Sequence, residues 1–524
     1  MKNTDIYCNA KQGRLPVFIA DILDICDPVL TFDRIMKEIH IEQYLAPAVN
    51  TRHIGRPRYN RVDMLKTVLF GFMDKGYASL RELEELCRVN IRYMYLMNHA
   101  RPSYRAFSYF IDRELAENLE NIASAVMAYI VREDCVDLQH LYIDGSKLEA
   151  NASKYSWVWK KATERSRYKL FAKINREFGV INEELASVGL GIETVPEYTP
   201  ESLSLMIDRY SETVKINKAA FRHGKGQRKD ITQRHYETLE GYLNSLRRYV
   251  KQISTCGSER NSYSKTDHDA TFMRIKRDYM GNDQLLPAYN IQLGIADGYI
   301  AVSDVYQYRN DMDCFKPLME KFYRIYGSYP KYPVADAGYG SYNNYLFCHE
   351  HGMEKYMKFT MFRRETGDAD YREDPFRAVN FRTDAEGTPI CPAGKKFVFA
   401  YRKAVKGNQY GRQEEIYRCE DCSNCPLAGR CKKTEGNRTI RLNEEISTFH
   451  AEVINNLESI HGVLLRTNRS IQAEGSFGVM KQDRGYRRTV RRGLKWVKLE
   501  LLLVTIGQNL YKFHNKKSNV RSAA

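Results

Sequence analysis

Residues 289–307 read YNIQLGIADGYIAVSDVYQ. Two β-prone apolar runs flank Asp297-Gly298, a dipeptide suited to a tight turn, so the stretch predicts a β-hairpin. Downstream, residues 311–326 fit a helix, a turn follows at Gly327 to Pro330, and the short run KYPVAD ends at Asp336. Another strand is expected near Tyr356 to Phe359. Upstream, LQHLYID is a second β-prone run and ends at Asp144. The order strand, long insertion, hairpin, helix, strand predicts a mixed α/β layer.

The insertion is polar, rich in Lys, Arg, Glu and Tyr, with helical patterns at 165–184, 200–217 and 231–250. Its charged faces suit a clamp on a substrate, and solvated helix surfaces satisfy the same pattern. Gly224-Lys225-Gly226-Gln227 interrupts it without forming a phosphate-binding loop. Toward the N-terminus, apolar-periodic segments at 29–45, 62–75 and 115–133 read as helices. Ser79, with Glu82 three residues later, predicts a capping box. Two short helices around Gly76-Tyr77-Ala78 match a helix-turn-helix whose Arg81, Arg88 and Arg92 would face DNA; a plain packing domain has the same pattern. Gly55-Arg56-Pro57-Arg58 is an extended basic stretch that suits a minor groove or simply a turn.

The chain has 524 residues, enough for two to four domains and a large core. Lys and Arg total 81 against 65 Asp and Glu, a formal charge of +16 that favours a polyanionic partner. The excess is concentrated: residues 481–498 hold eight Lys or Arg and one acid, Asp483. The start, MKNTDIYCNA, has no apolar secretory core, and LELLLVTIG near the other end is too short to span a bilayer. Twelve cysteines without such a signal do not suggest a secreted disulfide framework. A cytoplasmic, DNA-associated protein without membrane contact is expected.

Three carboxylates stand out. Asp144 and Asp336 each follow a strand-like run, and Glu474 lies in NRSIQAEGSFGVMKQ, a helical segment. Hard Mg²⁺ or Mn²⁺ prefers oxygen ligands, so such a trio suits two ions and phosphoryl transfer. The glycines after Asp336 permit close backbone approach, although a strand-end turn capped by the aspartate explains them as well. Lys147 lies where it would contact phosphate, and Asp144-Gly145 alone also reads as a turn. Lys481 is seven residues from Glu474, two helical turns, and so shares its face. Arg484, Arg487, Arg488, Arg491 and Arg492 extend a positive path suited to the DNA backbone. His268, between Asp267 and Asp269, suits metal or phosphate positioning or a polar turn. Trp157 and Trp159 suit base stacking or burial.

In combination, these motifs make the chain resemble the DDE transposases of bacterial insertion sequences, over roughly residues 15 to 514. The resemblance rests on Gly55-Arg56-Pro57 through Leu83, Tyr142-Ile143-Asp144-Gly145-Ser146, Thr266 to Ala270, Tyr289-Asn290-Ile291-Gln292, Asp336-Ala337-Gly338-Tyr339-Gly340 and the block around Glu474. It is closest to the branch with an N-terminal helical domain and a C-terminal cysteine-containing segment. It implies a ribonuclease-H-like α/β core, with catalysis by Asp144, Asp336 and Glu474 and a basic partner in Lys481. The tyrosine and arginine typical of these enzymes upstream of the glutamate would fall at Thr467 and Ser470, so those contacts are absent, with Arg466 and Arg469 as substitutes. The implied organisation is a DNA-binding helical domain at 15–130, a core at 137–359 interrupted about 155–260, a cysteine-containing insertion at 360–450, and core helices at 451–514.

Cys419, Cys422, Cys425 and Cys431, with Cys391-Pro392 upstream, are far denser than the other seven cysteines. Such spacing fits structural Zn²⁺, an iron–sulfur centre or reduced thiols, and five candidates leave the ligand set open. The expected activity is cleavage at terminal inverted repeats and transfer of the 3′ hydroxyls to target DNA, by a homo-oligomer assembled on DNA. A nuclease without strand transfer and a catalytically silent DNA-binding protein are the alternatives.

Overall fold

The computed structural model describes residues 19–45, 58–186, 191–224, 227–275, 284–405, 408 and 410–523. Eight strands make up its first part: β1 (His140–Glu149), β2 (Trp157–Trp159), β3 (Ser262–Ser264), β4 (Thr271–Arg274), β5 (Leu285–Ala296), β6 (Tyr299–Tyr306), β7 (Tyr332–Ala335) and β8 (Tyr356–Met357). Six of them form one mixed sheet. β1 is central, antiparallel to β5 and parallel to β7, which in turn runs parallel to β8. The far edge of β5 is shared, with β4 opposite Leu285–Ala288 and β6 opposite Asn290–Ala296.

The hairpin forms where the sequence places it. Asp297 and Gly298 both have positive φ, 47° and 76°, as a two-residue turn between twisted strands requires. The turn is also anchored, because Gly298 N–H donates to Gln472 Oε1 at 2.7 Å. Asn509 makes two bonds with Ile300, accepting from its N–H at 2.8 Å and donating to its carbonyl at 2.9 Å. Backbone groups at that edge are thereby paired instead of left open for another strand.

One sequence expectation changes here. β1 does not end at Asp144 but continues to Glu149, with Gly145 paired to Gln292 and Ser146 to Ile291. Asp144 is therefore inside a strand, and no Asp-Gly turn forms, because β5 supplies partners for five more residues. Asp336 does follow its strand directly, and its Oδ1 accepts from Gly338 N–H at 2.8 Å.

Helices Pro28–Glu38, Arg61–Lys75, Leu80–Val89 and Leu119–Asp134 share one continuous apolar core with the sheet and with the long helix Leu494–Ala523. The capping box is present: Ser79 Oγ accepts from Glu82 N–H, and Glu82 returns the bond to Ser79 N–H. Such a cap contributes about 1 kcal/mol. Asp267 Oδ1 accepts from Gly493 N–H and Asp269 Oδ2 from Leu494 N–H, so the Thr266–Ala270 block caps the long helix. His268 lies beside Tyr263 in that turn.

The insertion folds around its own core. Helices Lys160–Leu185, Pro200–Thr213 and Ile231–Cys256 bury Phe171, Ile174, Phe178, Leu203, Leu239 and Leu246 among themselves. It leaves and rejoins the sheet domain through the β2–β3 ribbon. Trp157 and Trp159 both pack on Phe272, which gives them a packing role. Beyond the sheet come one short pair, β9 (Arg382–Thr383) with β10 (Pro389–Ile390), and a three-stranded sheet of β11 (Phe397–Ala404), β12 (Gln413–Cys419) and β13 (Thr439–Leu442). Among the described residues no helix is long and apolar enough to cross a membrane.

Candidate active site

Parallel pairing of β1 with β7 brings the two aspartates together. Tyr142 pairs with Val334, and Asp144 and Asp336 each lie two residues beyond that rung, so they leave adjacent strands on the same face. Burial pushes the Asp144 carboxyl up to about 6; Asp336 and Asp311 push in the same direction, while Arg469 and the Gly145 N–H oppose them.

Glu474 comes from a different element and is linked to Asp144 through Arg469. It ends a wide turn, Ser470–Glu474, that follows helix Ile460–Arg469 and continues through Gly475–Gly478 to a second wide turn, Val479–Asp483. Wide turns of this type inside helices are frequent at functional sites. Arg469 bridges the two acids, with Nη1 3.8 Å from Asp144 Oδ1 and Nη2 3.4 Å from Glu474 Oε1. Glu474 itself is largely exposed. Lys481 donates to Ser146 Oγ, two residues beyond Asp144 on β1. Burial lowers the Lys481 pKa, and Asp144 opposes that shift.

Several further residues stand at the site. Asp311, between β6 and helix Phe315–Tyr326, accepts on Oδ1 from Lys147 Nζ at 2.5 Å, Asn290 Nδ2 at 2.8 Å and Gln292 Nε2 at 2.9 Å. Tyr339, fully buried, donates to Gln292 Oε1. Burial holds the Tyr339 hydroxyl far above its usual range, reinforced by Asp311, Asp144 and Asp336. Lys358, just past β8, has its pKa lowered by burial and then by Arg466 and Arg469, with Asp336 opposing. One sequence signal was available: Asn290 and Gln292 lie two apart in an otherwise apolar buried strand, and buried amides require partners.

The basic residues separate into different roles. Lys147 is an ion-pair partner of Asp311 and is occupied there. Arg484 is not on an exposed path: it is buried, its Nη2 donates to the carbonyls of Phe72 and Met73, and it stacks over Tyr511. The Gly76 turn packs on the backbone of that same Arg484, and Tyr77 stacks on Tyr486. Arg491 pairs with Asp112 at 2.7 Å and covers Trp496. Arg487, Arg488 and Arg492 are exposed but each donates to a carbonyl, of Lys481, Ala150 and Asn151 respectively. Arg58, Arg81 and Arg88 are exposed, Arg81 beside Tyr104 and Arg88 paired with Glu84. Arg92 is tied to Asp27 and Asp74. Arg56 lies outside the described residues.

Cys391, Cys419, Cys422, Cys425 and Cys431 all border one small cavity. Burial, and then a hydrogen bond with Cys422, push the Cys419 thiol up to about 12. Cys431 Sγ accepts from Arg438 Nη1 at 2.8 Å, and Cys391 Sγ from Lys395 N–H at 3.3 Å. Among the described residues, no group of three or more His, Cys, Asp or Glu side chains is placed so as to hold a metal ion. At the acidic cluster the Arg469 guanidinium stands between Asp144 and Glu474.

Two family profiles match the chain: a transposase domain (DUF772) over residues 19–113 and a transposase DDE domain over residues 390–514. No curated protein and no solved structure matches it. The first profile covers the capped N-terminal helices, and the second runs from the cysteine segment through Glu474 and Lys481 into the long C-terminal helix. The two matches give the chain a DDE-transposase-like architecture.

Proposed function

We propose that the protein is a DNA transposase that cleaves the ends of an insertion sequence and transfers their 3′ hydroxyls to target DNA. The observation that carries this reading is the adjacency of Asp144 and Asp336 on parallel strands, with Glu474 linked to Asp144 through Arg469. The sheet, three antiparallel strands on one side of β1 and two parallel strands on the other, is read as a ribonuclease-H-like core. Asp144, Asp336 and Glu474 would hold Mg²⁺ or Mn²⁺, two ions in all. The donor chemistry suits hard cations, since all three side chains offer carboxylate oxygens; burial raises the Asp144 carboxyl to about 6, and Arg469 opposes that shift. When bound, such ions activate a water or hydroxyl and stabilise the leaving oxygen.

The remaining work falls to the chain itself. Lys481, held at Ser146 beside Asp144, places an ammonium where a scissile phosphate would lie. Arg466, Arg469 and Lys358 form a positive rim near Asp336 and Asp144. Arg487, Arg488 and Arg492 would track the DNA backbone, and Arg58, Arg81 and the helices around them would contribute end recognition. Pairing two ends would require a homo-oligomer on DNA.

The test is cleavage and 3′-end joining on element-end DNA with Mg²⁺, comparing the wild-type chain with D336N. Joining retained by D336N would overturn the assignment, and wild-type cleavage without joining would favour a nuclease. Absence of both from folded, DNA-binding wild-type protein would favour a silent DNA-binding role.

The cysteine cavity supports structural Zn²⁺, since soft thiolates suit that ion. The ligands would come from Cys391, Cys419, Cys422, Cys425 and Cys431, which line that cavity. Metal analysis of protein purified without added zinc should find about one zinc per chain, lost in C419S/C422S. Folded, active wild-type protein free of zinc and iron would sink this assignment.

A further inference from the structure

Helix Lys160–Leu185, the first of the insertion, carries its charge in the order least favourable to a helix. Residues 160–176 hold seven Lys or Arg and one acid, Glu164, whereas residues 177–185 hold three acids, Glu177, Glu183 and Glu184, and no Lys or Arg. The helix dipole favours the reverse, acids at the start and cations at the end. Its first turn has no acid and its last turn no base.

Five of the cations also line up. Lys161, Arg165, Lys169 and Lys173 recur every four residues and Arg176 follows three later, so they share one face, and all five are exposed. The opposite face holds the insertion's core, with Leu170, Ile174, Phe178 and Ile181 buried. Like charges at this spacing repel and destabilise a helix. Among the described residues no ion pair engages any of the five. Neither packing nor helix formation accounts for such a ridge.

Resting on the reading that the chain acts on DNA, we infer that this ridge docks the sugar-phosphate backbone of duplex DNA on the helical insertion. From Lys161 to Lys173 the helix rises about 18 Å, the length of about five steps along one DNA strand. Evenly spaced cations on a straight line suit a polymer of regularly spaced phosphates better than the scattered carboxylates of a protein surface. The ridge also continues a surface already described. Arg488 and Arg492 donate to the carbonyls of Ala150 and Asn151, where the chain leaves β1 for the insertion. β2 follows, and the helix starts at the next residue, Lys160. Helix Ile231–Cys256 ends beside that start, because Lys160 Nζ donates to the Gly257 carbonyl at 2.7 Å. It adds Arg247, Arg248 and Lys251, all exposed, to the same end of the insertion.

The experiment is salt-dependent binding of the full chain, in chelator, to mixed-sequence duplex DNA, for wild type, R165Q/K169Q/K173Q and K215Q/R228Q/R234Q. The last variant removes the same charge from the other end of the insertion, and all six side chains are exposed. The ridge variant should stay folded, since its loss relieves repulsion, and should reduce the salt slope by about three, close to one per lost phosphate contact. The variant at the other end should leave the slope unchanged. An unchanged slope in the ridge variant, or an equal fall in both, would overturn the ridge as a DNA contact while DNA binding by the chain stands. A ridge variant that keeps the slope but loses self-association in sedimentation would overturn it in favour of a contact between copies. Failure of the wild-type chain to bind duplex DNA would overturn the DNA reading itself, and the ridge with it.

Discussion

The acidic end of β1 and β7 and the basic segment 484–492 are both dense in charge, and the fold treats them oppositely. At the acidic end like charges gather: Asp144 is half-buried near Asp336 and Asp311, and burial above all pushes its carboxyl up to about 6, with Arg469 opposing. In the basic segment charge is distributed and largely consumed, with Arg484 holding helix carbonyls and Arg491 paired to Asp112. Clustered like charge marks a candidate site, even where Arg469 and Lys147 relieve part of it, whereas fully paired charge is the mark of structure. Counting Arg and Lys therefore overstates the surface offered to DNA.

The strongest way to break this contrast is at the acidic end. D336N should reduce both cleavage and joining by roughly a hundred- to a thousandfold, the scale seen when a group aimed at transition-state charge is lost. The single-turnover rate on element-end DNA measures this. Comparable rates in the two proteins would mean that the like charges gather for another reason.

Next is Arg484. R484M should lower stability by about 1–3 kcal/mol, because it removes the donor held by the buried Met73 carbonyl, and should leave the DNA affinity of the folded protein unchanged. Denaturant unfolding and a binding titration separate the two effects. A fall in affinity without a fall in stability would return Arg484 to the DNA path.

R487Q and R492Q should do the reverse. Each should weaken DNA binding uniformly across sequences and reduce the salt slope by about one, while stability stays within about 0.5 kcal/mol. Salt-dependent binding titrations test this, and an unchanged slope in both variants would leave the segment purely structural.

The smallest effect is a proton. In metal-free protein the Asp144 carboxyl should titrate near 6, observable by carboxyl NMR, and lower in D336N because a neighbouring negative charge has gone. The folded-state value is raised, so the stabilising contribution of the protonated form is complete below the ordinary carboxylate range and lost as pH rises through about 6. Titration of Asp144 at an ordinary carboxylate value would show that the cluster is not crowded.

Much of the arrangement was legible in the residues. Alternating apolar runs around Asp297-Gly298 specify the hairpin, and Ser79 with Glu82 specifies a helix start, because both depend on local backbone chemistry. Asp144, Asp336 and Glu474 were nameable through motif and resemblance, and the fold brings the strands and helix that carry them together. The end of β1 was misread at Asp144, since strand length is set by a partner 149 residues away in the Asp144–Leu293 rung. Arg484 was misread because burial is invisible in a string of arginines.

The sequence by itself determined the local elements and the charge excess and singled out three acids as candidates, since periodicity, turn chemistry and residue type are properties of neighbouring positions. Only the tertiary structure decided which cations are already engaged, and that Asp311, Gln292 and Lys147 belong beside Asp144 and Asp336. Those relations join residues from β1, β5, β7 and the β6–helix connection, and their distances depend on strand register and packing.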